Sequence, residues 1–218
     1  MVNSELVLRL DGTRPLSAAS VEELAGLCDR AEDHRESGPV TIHVTGAPPA
    51  GWSEGLTVGL VSKWERVVRR FERLSRVTIV VASGDCAGMA LDLLLAADVR
   101  IIAPGTRLLL AEAGGATWPG MTVHRLTQQA GAAAIRRAVL LGAPIDADRA
   151  LALSLVDEIS DDPAAALADL AETVDAVDGK EIAIRRQLIF EASSTTFEDA
   201  LGAHLAAADR ALRREAAS

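Results

Sequence analysis

The stretch that decides the fold reads VTIVVASGDCAGMALDLLLAADVR, residues 77–100. Its first part, 77–82, is a continuous run rich in β-branched residues, which is typical of a strand buried on both faces. A glycine turn follows at 84–88, and residues 89–97 then form an almost wholly apolar helical segment. A buried strand that enters a buried helix through a tight turn indicates an α/β fold with parallel strand pairing.

The rest of the chain alternates in the same way. Further strands are predicted at 6–10, 40–45, 99–103 and 107–111. Apolar residues recur at helical spacing from Leu60 to Leu74 and again from Ile182 to Phe190.

Two capping boxes predict helix starts: Ser20 with Glu23, and Thr195 with Glu198. We expect residues 1–162 to form an α/β core. Residues 163–218 are expected to form a C-terminal helical region that packs on the core or on a neighbouring subunit.

The composition limits what the chain can bind. Its 218 residues suffice for one sizeable core but hardly for two domains. A net charge of −9 opposes nucleic acid, which needs a basic face. No apolar run approaches the roughly 18 residues of a membrane span, and the N-terminus lacks the layout of a signal peptide. The cysteines and histidines lack metal-ligand spacing, so we expect a cytoplasmic protein without a metal.

The glycine turn at 84–88 has the features of a site for negative charge. The first amides of the next helix lack intrahelical partners, and the positive end of the helix dipole adds to their effect. Aimed at a thioester oxygen, one such donor contributes roughly 3–4 kcal/mol in a transition state. We therefore predict an oxyanion hole at this helix start.

Two carboxylates near the turn are candidate catalytic groups. Asp92 lies one turn into the apolar helix, as either a functional acid or a structural residue bonded to a backbone group or an arginine. Glu112 ends an apolar strand before a glycine-rich loop, as either a solvated loop residue or a second acid. Two acids that flank the α and β carbons of a thioester would direct the addition or removal of water.

The same residues resemble a known family. SGDCAGMALDL at 83–93, followed by ADVRI at 97–101, is similar to the signature of the crotonase, or enoyl-CoA hydratase/isomerase, family. The 20-residue separation of Asp92 from Glu112 also matches. Similar stretches follow at 117–120 (TWPG), 141–150 (LGAPIDADRA) and 155–159 (LVDEI). The resemblance implies the crotonase-like α/β fold, a spiral of ββα units with a C-terminal helical region.

The resemblance also implies roles for single residues. It makes Asp92 and Glu112 the catalytic acids, and Met89 and Glu54 the donors of the two oxyanion-hole amides. Met89 stands where the family usually has glycine, Asp92 is one methylene shorter than the usual glutamate, and the loop around Glu54 departs from the family pattern. The substrate-binding residues that it implies are Gly88, Thr117, Trp118, Pro119 and Gly120.

Trp118 either lines the acyl pocket or braces Pro119. Coenzyme A is expected as part of the substrate, with no separate cofactor. Family members assemble as trimers or hexamers, so the resemblance implies the same here.

Residues 61–66 (VSKWER) and 116–121 (ATWPGM) look most like one small subgroup of the family. These are the hydratase-like proteins of the dihydroxyphenylglycine pathway in producers of glycopeptide antibiotics. Their role is to work beside a type III polyketide synthase that makes 3,5-dihydroxyphenylacetyl-CoA from malonyl-CoA. The resemblance therefore implies such a synthase as a partner.

Two other functions stay open on the sequence. One is a non-catalytic accessory subunit of the synthase, which the crowded turn at Met89 and Ala90 favours. The other is a serine hydrolase, since GWSEG at 51–55 fits the Gly-x-Ser-x-Gly pattern with Ser53 as nucleophile. That motif needs a strand running directly into the serine, and two prolines stand in between.

Overall fold

A computed structural model describes residues 6–34, 38–175 and 179–216, which form one mainly parallel sheet flanked by helices. The strands are β1 (Val7–Asp11), β2 (Val40–Gly46), β3 (Thr78–Cys86), β4 (Val99–Ile102), β5 (Arg107–Leu108), β6 (Glu112–Ala113), β7 (Ala116–Thr117), β8 (Ile145–Asp146) and β9 (Glu158–Ile159). The helices are α1 (Ala18–Asp33), α2 (Val58–Glu72), α3 (Met89–Ala96), α4 (Met121–Ala130), α5 (Ala132–Leu141), α6 (Ala147–Ala152), α7 (Pro163–Asp175), α8 (Gly179–Ala192) and α9 (Phe197–Glu215).

The sheet runs β1-β2-β3-β4-β9 with parallel pairing throughout. Val80 of β3 pairs with Ile42 on one side and Arg100 on the other, so β3 is central. Short β5 also pairs with β3, and β8 joins β5 antiparallel. The predicted α/β fold with parallel strands is confirmed. No helix in the described ranges is both long and apolar enough to cross a bilayer.

The strand predicted at 107–111 is shorter in the structure. Only β5 lies in the sheet, and β6 and β7 form a separate hairpin. The backbone amide of Leu109 still bonds to Cys86, but the chain then turns away, and Trp118 N donates to the carbonyl of Ala111 at 2.7 Å. This turn carries the hairpin to the rim of the site described below.

The N-caps predicted from the two capping boxes, Ser20 and Thr195, are both wrong. Helix α1 begins at Ala18 because Ser17 is the N-cap, and its side chain accepts a hydrogen bond from the amide of Ser20. Likewise Thr196 caps α9 by accepting from the amide of Asp199. In each case a second hydroxyl residue within three positions can serve as the N-cap, so the pattern alone does not choose between them.

A buried arginine links helix α8 to the core, beside the apolar packing of α7 on the sheet. Arg186 of α8 forms a bidentate pair with Asp98, at 2.7 and 2.6 Å, and donates to the carbonyl of Leu74 at 2.7 Å. Asp98 in turn accepts from the amide of Thr78 at the start of β3. Helix α8 is therefore fixed to the central strand. The division at residues 162 and 163 into a core and a helical region stays a prediction.

Candidate active site

A small cavity lies where α2, α3 and α4 converge, and its volume is about 40 Å³. Its walls are mostly aliphatic and aromatic, and the polar side chains in them belong to Glu65, Asp92 and Thr122. The indole rings of Trp52 and Trp118 meet edge to face across its rim, with centroids 5.3 Å apart. These features define an enclosed, apolar site with a few polar groups, as small-ligand sites are built.

The turn between β3 and α3 brings Gly88 and Met89 into the cavity lining. Gly88 takes φ 54°, a left-handed conformation that favours glycine, and the Pro48 ring lies 3.3 Å from where a Cβ would stand. Met89 follows as the first helical residue, and it lines the cavity. Among the described residues its amide has no hydrogen-bond acceptor. A polarised donor thus remains available for a ligand.

The second predicted donor does not match this geometry. The amide of Glu54 already bonds to the carbonyl of Gly51 at 2.9 Å, which closes a tight turn. Glu54 also lies outside the lining of the cavity. The expectation of a free Glu54 amide is therefore wrong for this conformation, because the short loop satisfies its own backbone.

Asp92 occupies the floor of the cavity and is 7% exposed. Its Oδ2 accepts from the indole nitrogen of Trp64 at 2.9 Å, and its Oδ1 accepts from the hydroxyl of Thr122 at 2.5 Å. The guanidinium of Arg125 lies 3.8 Å from Oδ1. The carboxylate is paired by side chains of α2 and α4, and at the same time it faces the cavity.

Arg125 joins three acids from two helices. Its Nε bonds to Glu72 at 3.0 Å and its NH2 to Glu65 at 3.0 Å, while NH1 lies nearest to Asp92. NH1 has no hydrogen-bond partner among the described atoms, although it is buried. Glu65 and Asp92 line the cavity, whereas Glu72 does not.

The enclosed surroundings change how the two cavity acids titrate. Burial raises the pKa of Asp92, and the opposing effects of Arg125, Thr122 and Trp64 only partly offset it. Burial likewise raises the pKa of Glu65, and the nearby Asp92 carboxylate raises it further. Acids with raised pKa values can hold a proton at higher pH and release it to a substrate.

Glu112 does not join Asp92. It is exposed on the hairpin, its side chain is absent from the cavity lining, and its Oε1 lies 3.0 Å from where a Cβ of Gly142 would stand. Its backbone carbonyl accepts from the indole nitrogen of Trp52 at 2.7 Å. The expected placement of two acids in one cavity is therefore wrong for Glu112, because the hairpin turns its side chain outward. Its catalytic role stays a prediction.

Of the five predicted substrate-binding residues, three line the cavity and two do not. Gly88, Trp118 and Gly120 line the cavity, and the Trp118 indole packs so closely on Gly120 that a Cβ there would lie 2.7 Å from its nitrogen. Thr117 instead donates its hydroxyl to the carbonyl of Val139 in α5, and exposed Pro119 lies outside the lining. Of the two possibilities for Trp118, the position in the cavity wall is the one observed.

Ser53 does not have the geometry that a serine hydrolase needs at its nucleophile. Ser53 lies in a turn between Gly46, where β2 ends, and Val58, where α2 begins, so no strand delivers it onto a helix. A nucleophile elbow requires that direct strand–turn–helix connection.

Cys86, at the end of β3, is fully buried. Burial raises the pKa of its thiol, which keeps the thiol protonated.

Sequence reasoning missed the residues that surround Asp92. These are Trp64 and Glu65 on α2, and Thr122 and Arg125 on α4. A signal existed: a carboxylate in an apolar helix needs donors, and an indole or arginine on a neighbouring helix can supply them. Which helices would converge on Asp92 was not readable from one sequence.

Comparison with known proteins identifies the class. The model of the family "Enoyl-CoA hydratase/isomerase" matches residues 57–215, well over half of the chain. This chain belongs to the enoyl-CoA hydratase/isomerase family.

Two relatives illustrate the range of similarity. The chain is 79% identical over 217 residues to a protein of Amycolatopsis orientalis named enoyl-CoA-hydratase, covering 100% of both. It is 32% identical over 163 residues to a probable enoyl-CoA hydratase of Mycobacterium tuberculosis, covering 65% of this chain and 61% of that protein.

Solved structures agree with the fold. A crystal structure of an enoyl-CoA hydratase from Shewanella pealeana has a TM-score of 0.82 at 16% identity, covering 98% of this chain and 86% of that one. A family protein from Silicibacter pomeroyi gives 0.81 at 22% identity, covering 97% of each chain. At such identities the similarity establishes the crotonase fold that the sequence predicted.

Proposed function

We propose that this protein is an enoyl-CoA hydratase-like enzyme that binds an acyl-CoA thioester in the cavity and stabilises its enolate. The Met89 amide is the donor for the thioester oxygen, and Asp92 is an acid–base group beside the α and β carbons. The observation that carries this function is that two residues line one cavity: Met89, whose amide has no acceptor within the described ranges, and the buried Asp92. Family membership and the names of the relatives support the same reaction class.

Hydration of an enoyl thioester needs a donor for the thioester oxygen and a group that moves a proton, and the Met89 amide and Asp92 can supply these two functions. When water adds to the β carbon, the double-bond electrons move towards the thioester oxygen, where negative charge develops. A fixed amide dipole at a helix start stabilises that charge without reorganising. A carboxylate with a raised pKa moves the proton that the addition requires.

The cavity as described has room for a carbonyl group or a water molecule but not for an acyl chain. Its volume of about 40 Å³ is far below the roughly 300–1,000 Å³ of typical ligand pockets. Binding therefore requires the Trp52 and Trp118 rings to separate. The hydrogen bond from Trp52 to the Glu112 carbonyl, at 2.7 Å, would oppose this separation.

Two probe reactions test the function. One is hydration of crotonyl-CoA, followed by the loss of the ultraviolet absorbance of the conjugated thioester. The other is incorporation of deuterium at the α carbon of butyryl-CoA in D₂O, followed by mass spectrometry. Hydration or exchange by the purified protein is expected, and the absence of both would reject the enzyme.

The Met89 donor can be tested by a matched pair of variants. Met89→Pro removes the N–H at the first helical position, where proline is sterically tolerated, and Met89→Ala removes only the side chain. Met89→Pro is expected to be slower than Met89→Ala by about 10²–10³-fold in kcat. Equal rates in the two variants would show that the amide does not contribute.

A second candidate function is an accessory role beside a type III polyketide synthase, and two observations favour it. The cavity is nearly closed, and the Glu54 amide that would complete the oxyanion hole is occupied. The experiment adds wild-type or Asp92→Asn protein to a synthase that makes 3,5-dihydroxyphenylacetyl-CoA from malonyl-CoA. Equal stimulation of product formation by both proteins would favour binding, and stimulation by the wild type alone would favour catalysis.

Assembly as a homotrimer or hexamer also stays a proposal. It is supported by large apolar side chains that the single chain leaves open on α8 and α9, including Ile189, Phe197 and Leu205. Exposed apolar faces of this kind favour association with another protein surface. Light scattering coupled to size exclusion would measure the mass, and a monomer at micromolar concentration would reject the proposal.

A further inference from the structure

A second acid faces the cavity from helix α2. We propose that Glu65, rather than Glu112, is the second catalytic acid and shares with Asp92 the movement of protons to and from the substrate, an inference that rests on the proposed function. Neither the spacing of the motifs nor the family resemblance pointed to Glu65.

The position of Glu65 is the first reason. Its side chain lines the same cavity as Asp92 and Met89, and 20% of it is exposed. One carboxylate oxygen, Oε2, accepts from Arg125 at 3.0 Å. The other, Oε1, has no hydrogen-bond partner in the described part of the chain, so it can contact a bound substrate or water.

The charge around Arg125 is the second reason. Asp92, Glu65 and Glu72 all lie against this one guanidinium, and Glu72 is also paired with Arg69 at 2.7 Å. The two cavity acids thus share the remaining positive charge of a single arginine. Burial and the Asp92 charge raise the pKa of Glu65. The pair is therefore suited to hold a proton that one anion alone would release.

The two acids differ in how firmly they are held. Both oxygens of Asp92 accept hydrogen bonds from the protein, which fixes its orientation and favours its ionised form. Glu65 has one unbonded oxygen and is partly exposed, so it can exchange its proton with solvent. Asp92 is accordingly the base that activates water, and Glu65 is the acid that protonates the α carbon.

In the proposed step, the two acids add water across the double bond of the substrate. Asp92 takes a proton from water as the oxygen forms a bond to the β carbon, and the electron pair of the carbon–carbon double bond moves to the α carbon. The Oε1–H bond of Glu65 breaks as the α C–H bond forms. The product is the β-hydroxyacyl thioester, with Asp92 protonated and Glu65 ionised. A proton passing from Asp92 to Glu65, directly or through water, restores the starting state.

The test compares three variants in crotonyl-CoA hydration and in butyryl-CoA deuterium exchange. Glu65→Gln keeps the shape of the side chain and is expected to lose about 100-fold in kcat with little change in KM. It should also lose the alkaline limb of the pH profile, because that limb reports deprotonation of the acid. Arg66→Gln is the matched control: Arg66 is the next residue of α2 and is exposed, and within the described ranges its side chain bonds only to Ser62.

The third variant, Glu112→Gln, tests the alternative that Glu112 is the second catalytic acid. A loss in Glu112→Gln together with full activity in Glu65→Gln would overturn the inference. If Glu65→Gln fails to fold, Glu65→Asp keeps the charge on a shorter side chain, and it should lower kcat while keeping the alkaline limb. A Glu65→Asp protein with wild-type kcat would equally contradict the inference.

Failure of the inference and failure of the proposed function are distinguishable. If the wild type hydrates or exchanges and Glu65→Gln does so equally well, only the role of Glu65 is rejected. If the wild type does neither, the enzyme and the Glu65 assignment are both rejected.

Discussion

Asp92 and Glu112 look alike in the sequence, yet the fold gives them opposite surroundings. Asp92 is enclosed by α2, α3 and α4, and it accepts hydrogen bonds from Trp64 and Thr122. Glu112 lies exposed on a two-stranded hairpin, with its carboxylate beside Gly142. The comparison teaches that the chemistry of an acid depends on the elements that converge on it, since burial and donors set its pKa.

The largest effect is expected at Asp92 itself. Asp92→Asn should lower kcat for crotonyl-CoA hydration by at least about 100-fold, because an amide cannot accept the proton of water. Asp85→Asn provides the control, since Asp85 lies at the end of β3, before the turn into α3, is only partly buried and is paired with Arg107. A similar loss in both variants would mean that the turn is simply sensitive to any change.

The next effect concerns the donor that orients Asp92. Trp64→Phe removes the indole N–H and should lower kcat by about tenfold, which corresponds to roughly 1.4 kcal/mol, near the contribution of a hydrogen bond to a charged group. That bond lowers the pKa of Asp92, so its loss raises the pKa further. The acidic limb of the pH profile should therefore move to higher pH. An unchanged limb would show that Trp64 acts only in packing.

A third effect appears in stability rather than rate. Burial raises the pKa of Asp92 above its unfolded value, so ionisation costs folding free energy as pH rises through the folded pKa. Asp92→Asn removes this cost. The Tm of the variant minus that of the wild type should therefore increase from about pH 4 to about pH 7. Thermal unfolding followed by circular dichroism measures it, and a decreasing difference would contradict the burial effect.

The smallest effect is expected at the rim. Trp52→Phe removes the hydrogen bond to the Glu112 carbonyl, which in the proposed function opposes opening of the cavity, at a cost in stability of about 1 kcal/mol. Opening should become easier, so KM for crotonyl-CoA should fall while kcat changes little. A higher KM would show instead that Trp52 contributes directly to binding.

The sequence predicted the fold from a few strong patterns. The apolar helix predicted at 89–97 matches α3 to within one residue, because such a helix has a distinctive composition. The run at 77–82 predicted the start of β3, but the strand continues to Cys86, into the segment predicted as a turn. Boundaries failed where two hydroxyl residues compete as caps, as at Ser17 and Ser20. They failed again after Leu108, where the apolar run leaves the sheet.

The site was predicted only in part. Met89, Asp92 and Trp118 line one cavity as expected: the first two follow the turn from β3 into α3, and Trp118 follows the β6–β7 hairpin. Glu65 and Arg125 come from helices far away in sequence, and only the packing of α2 and α4 against α3 brings them to Asp92. The direction of the Glu112 side chain depends on a two-residue hairpin strand whose turn no periodic pattern encodes.

The most direct test is a crystal structure of the protein with acetoacetyl-CoA, a thioester that forms an enolate and is not hydrated. We expect its thioester oxygen within about 3 Å of the Met89 nitrogen and its α carbon beside Asp92 and Glu65. Coenzyme A bound with its carbonyl elsewhere, or a Met89 amide that is bonded to protein while the cavity stays closed, would contradict the catalytic site.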